Sequence, residues 1–437
     1  MGSVLRFLLI FLPFFPLLAQ RNCLTFPSAQ QGGNPEFFPG GRYFEQQVAD
    51  WIIRADKSAL SDPDSIYYIP VVVHVLHNGE PEDSGRNISY QRIQSQIDIL
   101  NQDYGRQAGS PGFNSHPAGT DTRIRFCLAT QDPSGNPSNG VVRVNTGIDA
   151  FDLFTQNVQL KNYSIWDTEK YLNIWVCKLM NNYLGYAQYP IISPLWADSL
   201  PMVSNIENVL PDGVVIEYRV FGNVPAGQSG PYGPYNKGRT ATHEVGHYLG
   251  LLHIWGDGFS CADDKTDFCS DTPKQASFTS GCPASVASCE PGVPAMKENY
   301  MDYTNDACMN IFTSEQKKRM RIVLRNCIRR KTLLMNVPVC TLTSVEPDSP
   351  AIDKPFLSLS VNPQTDELLI SFSGFDAEEV EIFDLPGRRV SQFGPLNKLS
   401  KAPMIISLAG WRQGTYFVRV KDSNGRFRQA CFRRFLP

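Results

Sequence analysis

The segment from His243 to His253 reads H-E-V-G-H-Y-L-G-L-L-H, and its spacing leaves the backbone little choice. His243 and His247 are four apart, so a helix puts both imidazoles on one face, one turn above the other, within reach of a single metal ion. Gly250 follows three residues later. Without a Cβ it can take the positive φ that stops a helix sharply, which swings His253 back as a third ligand. Three imidazoles leave one position of a tetrahedral Zn²⁺ open for water, the arrangement of a catalytic rather than a structural site. Glu244, next to the first ligand, can take the proton of that water. The chain has only six histidines in 437 residues, the others being His74, His77 and His116, so three in one short segment argue against ordinary packed or surface imidazoles.

This pattern resembles the metzincin zinc peptidases, whose signature is H-E-x-x-H-x-x-G-x-x-H followed by a Met-turn. The Gly256-Asp257 pair after His253, and the run N-Y-M-D-Y from Asn299 to Tyr303, are similar to the pappalysin family within that group. The likeness covers roughly residues 66–335. It implies an α/β (α+β) metzincin-like catalytic domain with a twisted mixed sheet and an active-site helix. It also implies that Met301 forms an apolar floor under the zinc and that Tyr303 reaches toward the metal and the oxyanion.

The N-terminal residues 1–19 carry a single Arg, then a short apolar core, then Ala19, the layout of a cleaved secretory signal. The apolar run is shorter than the roughly 20 residues a membrane span needs and contains two prolines, which argues against an anchor. No other stretch is a candidate transmembrane segment. A formal net charge of −3 gives no reason to expect a nucleic-acid partner. Eleven cysteines in an exported chain imply disulfides with one thiol left over.

Residues 20–60 form a candidate pro-segment, rich in Gly, Pro, Gln and Asn at first and helix-like from Phe44 to Ile53. Cys23 lies in it. A thiolate is a good zinc ligand and can fill the open position until the segment is cut, as in other metzincins; alternatively Cys23 pairs with another cysteine or is a free thiol. The catalytic domain is expected over 61–340. Its first strand is the β-branched run from Ile66 to His77, where His74 and His77 read as packed strand residues. Ser89 is expected to cap a helix with Ile93, Ile97 and Leu100 on one face. Further strands are expected over Thr122–Ala129, Lys170–Leu179 and Asp212–Phe221. The stretch Leu184–Pro190 resembles the upper edge strand on which metzincins hold extended substrate, which makes Gly185, Tyr186 and Ala187 candidate substrate-binding residues. A helix is expected from Thr313 to Leu324.

Between the metal motif and the Met-turn, Asp263, Asp264, Asp267, Asp271 and Thr272 crowd a cysteine-rich loop. Clustered carboxylates and hydroxyls suit Ca²⁺, although a solvated acidic loop has the same composition. The resemblance favours calcium: D-F-C-S-D-T-P from Asp267 is similar to the pappalysin calcium loop, with Asp267, the Ser270 carbonyl and Thr272 as ligands. It also implies disulfides Cys261–Cys289 and Cys282–Cys308. Pappalysins favour a basic residue just after the scissile bond, and the floor of that pocket follows the Met-turn. Here that segment is Thr304–Cys308, and Asp306 is its one carboxylate, able to accept hydrogen bonds from Arg or Lys. A surface Asp or another calcium ligand are the alternatives.

Residues 341–356 read as a linker. From 357 to 437, short strands with turn signals suggest a small all-β sandwich. The runs V-N-P at Val361, F-D-L-P-G-R-R-V at Phe383 and G-T-Y-F-V-R-V at Gly414 resemble the C-terminal sorting domain of type IX secretion. A carbohydrate- or protein-binding module is the other reading of such a shape. Together these features lead us to expect a zinc endopeptidase made as a latent precursor, cutting proteins or peptides on the amino side of Arg or Lys. It would pass through the periplasm to the bacterial surface or medium with the help of the type IX machinery. A binding protein on an inactive peptidase scaffold is disfavoured because Glu244 and all three histidines are present. A hydrolase of non-peptide amides is disfavoured by the edge strand.

Overall fold

The computed structural model describes Arg21, Cys23, Thr25 and residues 38–57, 65–192, 211–225, 230–261, 266–335, 340, 356–362, 366–373, 377–384, 388–394, 404–412, 414–422, 425 and 427–434. The expected signal at 1–19, most of the linker, and Asp263 and Asp264 lie outside these. The chain divides into two compact units, Met1–Leu342 and Thr343–Pro437.

The first unit is organised on β1 (Tyr67–His77), whose valine-rich middle is buried on both faces, as expected of a central parallel strand. On one side it pairs in parallel with β4 (Leu172–Cys177). On the other, its length accommodates two short parallel strands in turn, β2 (Ile124–Leu128) against Tyr67–Val71 and β3 (Val141–Asn145) against Val73–His77. β6 (Val214–Glu217) pairs in parallel with β4, and β5 (Gly185–Ala187) closes the sheet as an antiparallel edge. The expected strand over Asp212–Phe221 is shorter than its apolar run, because the chain coils into a 3₁₀ turn at Tyr218–Val220. His74 is packed inside the sheet: its Nε2 lies 2.8 Å from Asn173 Oδ1, its ring stacks on Trp175, and burial lowers its pKa to about 4.

Five helices surround the sheet among the described residues: α1 (Arg42–Lys57), α2 (Tyr90–Tyr104), α3 (Leu153–Asn162), α4 (Arg239–Tyr248) and α5 (Ser314–Asn326). α2 turns Ile93, Ile97, Leu100 and Tyr104 into the main core and packs on β2 and α4; Ser89 stands at its N-cap in extended geometry, but its side chain makes no capping hydrogen bond. α5 opens on a complete capping box. The Thr313 hydroxyl accepts from Gln316 N–H, and the Gln316 side chain accepts from Thr313 N–H, a device of about 1 kcal/mol. α1 lies on α5 through Phe44 and Val48 against Ile322, Val323 and Cys327. At that contact Arg319 donates to both oxygens of Glu45, at 2.6 and 2.7 Å, with both side chains almost fully buried.

Among the described residues three disulfides are formed. Cys261–Cys289 and Cys282–Cys308 are the two that the family likeness implied, and Cys127–Cys340 was not foreseen. The expectation of a single leftover thiol fails: Cys23, Cys177, Cys269 and Cys327 are all unpaired and buried. Cys177 and Cys327 sit in apolar clusters, where a thiol packs as a small hydrophobe, so parity of cysteines says little here.

The second unit stacks two antiparallel sheets. One has the order β11 (Met404–Ser407), β8 (Glu367–Ser373), β7 (Phe356–Asn362); the other runs β10 (Arg389–Phe393), β9 (Ala377–Asp384), β12 (Gly414–Asp422), β13 (Phe427–Arg434). Leu368 and Ile370 of the first meet Val380, Ile382, Val418 and Val420 of the second in one buried core, the layout of a small sandwich. No helix among the described residues is long and apolar enough to cross a membrane.

Candidate active site

α4 carries His243, Glu244 and His247, all buried. The helix ends where the sequence spacing demands. Leu249 leaves helical geometry and Gly250 takes φ +91°, with Val323 packed so close that a Cβ would collide. The chain then returns His253 to the face of α4. The three Nε2 atoms converge, His247 lying 3.1 Å from both His243 and His253. Each Nδ1 is engaged elsewhere: His243 with Tyr300 O at 2.7 Å, His247 with Leu251 O at 2.8 Å, His253 with Asp257 Oδ1 at 2.5 Å. Those partners hold the proton on Nδ1 and leave the Nε2 lone pairs facing one another, a repulsive arrangement unless a cation lies between them. Cys23 Sγ completes a set of four donor atoms, all within 4.8 Å of one another. Three neutral imidazoles and a thiol fit Zn²⁺.

The surroundings explain how these groups stay in place. Met301 is fully buried, its sulfur against Gly246 of α4 where any larger residue would clash. Asn299 Oδ1 accepts from Met301 N–H at 2.9 Å and fixes that turn. The Tyr303 ring packs between His243, His253, Trp255 and Phe278. Burial pushes the Tyr303 pKa up. Beneath α4, the buried Asp103 on α2 accepts from Thr242 Oγ1 at 2.8 Å and pairs with Arg239 at 3.2 Å, its pKa raised by burial to about 6. Burial, followed by the neighbouring imidazoles, pushes His243 and His247 well down. Burial raises Glu244 to about 7, with hydrogen bonds from Cys23 and Thr25 opposing the rise.

β5 runs over Glu244. At Gly185 a Cβ would meet the Glu244 side chain at 2.6 Å, so only glycine lets the strand come this close. Cys23 forms a parallel bridge with Gly185. The Thr25 hydroxyl accepts from Ala187 N–H at 2.8 Å and donates to Glu244 Oε2 at 2.9 Å; the Cys23 thiol points to the same oxygen at 3.4 Å. The Tyr186 side chain is buried and meets Gln188 Oε1 at 3.0 Å, with Lys161 Nζ over its ring. On the other side of Cys23, Arg21 is buried with its guanidinium on Asp306 Oδ1 at 2.5 Å and 4.9 Å above the Tyr235 ring. The second Asp306 oxygen accepts from Lys237 N–H at 2.8 Å and Arg239 N–H at 3.2 Å. Asp306 is thus an interior carboxylate beside the cleft, not a surface one.

The loop expected to bind calcium brings Asp267 and Thr272 together. The Thr272 hydroxyl lies 2.9 Å from each Asp267 oxygen and donates to Cys269 O at 2.7 Å. Ser270 is exposed beside them, and Asp271 instead accepts from Glu315 N–H at the start of α5. Burial raises Asp267 to about 7.

Sequence reasoning missed Arg21, Thr25, Asp257 and Tyr189, whose hydroxyl lies 3.2 Å from His247 Nδ1, as members of this site. The signal for the first two was present: Arg21, Cys23 and Thr25 alternate, and alternate residues of an extended chain share a face.

The profile of the peptidase M43 family, described as pregnancy-associated plasma protein-A, matches residues 232–325, and that of the secretion system C-terminal sorting domain matches 362–430. An extracellular metalloprotease of Arthroderma otae is 32% identical over 280 residues, covering 64% of this chain and 86% of the relative. One from Verticillium alfalfae is 40% identical over 256 residues, covering 58% of this chain and 74% of the relative. Among solved structures, mature mirolysin of Tannerella forsythia in complex with a cleaved peptide matches with TM-score 0.53 and 41% identity, over 64% of this chain and 100% of that one. A promirolysin variant from the same organism matches with TM-score 0.55 and 38% identity, over 69% and 94%. The chain therefore belongs to the pappalysin family and is a secreted zinc metallopeptidase with a C-terminal sorting domain for its export.

Proposed function

We propose that this protein is made as a latent endopeptidase that cuts on the amino side of Arg and Lys, and that its own N-terminal segment occupies the cleft until removed. One observation carries the reading: Arg21 sits in the carboxylate of Asp306 while Cys23, two residues on, stands among the three imidazole Nε2 atoms. A guanidinium held there supports Asp306 as the floor of a pocket for a basic side chain. A thiol held there supports Cys23 as the group that fills the fourth ligand position of the precursor.

In this reading residues 1–19 are a signal, 20–60 the pro-segment, 61–340 the catalytic domain, 341–356 a linker and 357–437 the sorting domain read by the type IX machinery. His243, His247 and His253 hold the zinc. When bound, zinc supplies a Lewis acid that polarises a carbonyl and makes water acidic enough to attack at neutral pH. The chain's own residues do the rest. The backbone of β5 grips an extended substrate by strand addition, and Asp306 anchors the basic side chain that follows the scissile bond. Glu244 accepts the proton of the attacking water and delivers it to the leaving amine. The Tyr303 hydroxyl donates to the developing oxyanion. Met301 and the Nδ1 partners keep the imidazoles from moving. Asp267, the Ser270 carbonyl and Thr272 bind a structural Ca²⁺, a role supported by an interior carboxylate whose charge burial disfavours. Release follows self-cutting near Arg54 or Lys57 at the end of α1.

The specificity is tested by profiling the mature enzyme and its Asp306→Ala variant on one peptide library. The wild type should favour Arg and Lys directly after the cut, and the variant should lose most of that preference while still cutting. Survival of the preference in the variant removes Asp306 from the pocket, and its absence from the wild type refutes the specificity altogether.

A further inference from the structure

We propose that Arg330 is a positioning residue for catalysis: its guanidinium sets the spacing between the edge strand β5 and the active-site helix α4. The proposal rests on the reading that β5 receives the substrate backbone.

Arg330 is 1% exposed and touches three elements at once. Its Nε donates to Tyr248 O at 2.8 Å, and Tyr248 is the last residue of α4, directly after His247. Its Nη2 donates to Gln188 O at 3.1 Å, and Gln188 directly follows the last residue of β5. Both Nη atoms bind Asp212, at 2.5 and 3.1 Å, just before β6, the strand that pairs with β5. The guanidinium carbon lies 3.4 Å from the centroid of the Tyr248 ring.

The carbonyls at a helix C-terminus have no partner within the helix, so Tyr248 O needs an outside donor. Arg330 supplies it from the same planar group that holds Gln188 O. A guanidinium presents its donors in a fixed fork, so the two carbonyls are held at a set separation; an ammonium offers no such template. A second contact runs alongside, with the Tyr189 hydroxyl 3.2 Å from His247 Nδ1. The strand exit and the helix end are therefore tied twice, on the side of β5 away from Arg21 and Asp306. At the other end, Gly185 lies directly over the Glu244 side chain, and Leu184 O accepts from Glu217 N–H at 2.9 Å. A substrate lying along β5 inherits this spacing. A displacement of about 1 Å at a reacting centre can cost roughly 10²-fold in rate, so the tie bears directly on turnover.

The test uses the zinc-loaded mature enzyme and two substrates that share a basic residue after the cut. One is a peptide of about ten residues that lies along β5; the other is a short blocked substrate placed mainly by the basic pocket. Arg330→Gln should lower kcat for the long peptide by about 10- to 100-fold while the short substrate loses no more than about threefold. Arg330→Lys should recover the long peptide only in part, since it keeps the charge for Asp212 but not the fork. Zinc content and melting temperature are measured on each variant. Equal losses on both substrates would show Arg330 to be a general stabiliser and overturn the proposal, as would no loss on either. Should Arg330→Gln fail to fold, Asp212→Asn loosens the same guanidinium and must show the same ranking by substrate length; equal loss or none there overturns the proposal too. If the wild type shows no advantage for the long peptide, the reading of β5 fails and takes the proposal with it, an outcome distinguishable from the losses measured on the variants.

Discussion

Replacing Arg21 by Ala tests the proposed pro-segment and its proposed basic pocket most directly. Arg21 and Asp306 are 1% and 0% exposed, so their pair is shielded from solvent. Removing one member of a buried pair typically costs about 3–5 kcal/mol, because the other charge is left uncompensated. Here Asp306 keeps two backbone donors, Lys237 N–H and Arg239 N–H, and an emptied cleft can take up water, so the lower end applies. At about 1.4 kcal/mol per tenfold change, 3 kcal/mol predicts an inhibition constant raised by roughly 10²-fold. The assay adds peptides spanning residues 20–57, with Arg or Ala at position 21, to mature enzyme and compares their inhibition constants. Arg21→Lys should fall between, since it keeps the charge but not the bond to Thr240 Oγ1 at 3.3 Å together with that to Asp306. A rise below about threefold for the Ala peptide would refute the reasoning. So would an Asp306→Ala enzyme that still discriminated between the peptides by the full factor, because a double-mutant cycle assigns the coupling to that pair alone.

Glu244→Ala should keep its zinc and lose turnover by about 10²- to 10⁴-fold, the span of general-base contributions; near-normal peptide cleavage would show that another group takes the proton. The Cys23→Ala precursor should process itself sooner than wild type, with Thr25→Val giving a smaller effect in the same direction, read by gel over time; an unchanged maturation rate excludes the thiol as the block. Removing calcium while keeping zinc saturated should lower the melting temperature and hasten self-digestion, since a ligand bound only to the folded state stabilises it; identical melting curves would remove the ion from Asp267. Burial lowers Lys161 from its ordinary value of 10.5 to about 7, so between those pH values the unfolded chain binds a proton that the folded chain does not. Stability should therefore rise with pH across that window, by at most roughly 1.4 kcal/mol per unit, and Lys161→Met should flatten the rise; parallel urea midpoints for both proteins at pH 7 and 9.5 would contradict this.

Much of the metal site could be read from residue order alone because it is local. Helix period, a glycine stop and a returning histidine all lie within one short segment, and Gly250 adopts the positive φ that the spacing required. The long strand β1 and the helices α2 and α5 were legible for the same reason, each with a strong apolar period or cap. β3 and α3 were missed. β3 is half-exposed along its length, and α3 buries few of its side chains, so neither writes a clear period into the sequence. β10 and β13 in the second unit escaped similarly, each rich in polar and charged residues. The contacts that organise the cleft are of another kind. Arg21 meets Asp306 across 285 positions and Arg330 meets Asp212 across 118, and nothing in the local pattern of either arginine points to its partner.

Among the described residues the N-terminal segment is held in the cleft, by Arg21 on Asp306 with Cys23 and Thr25 beside it, and again by Glu45 on Arg319 against α5. These make it a bivalent ligand of its own enzyme, and the connection between them sets how well it stays bound. While the two are covalently joined, losing one contact leaves it facing its partner at an effective concentration on the order of millimolar, so rebinding competes with escape. The proposed cut at Arg54 or Lys57 would free the segment from the rest of the chain but keep both contacts on one piece. A cut between Arg21 and Glu45 would instead give two univalent fragments, each leaving at its own rate. On the proposed route, cleavage at the end of α1 would separate breaking the chain from opening the cleft, and the delay between the two would be governed by avidity rather than by peptide hydrolysis.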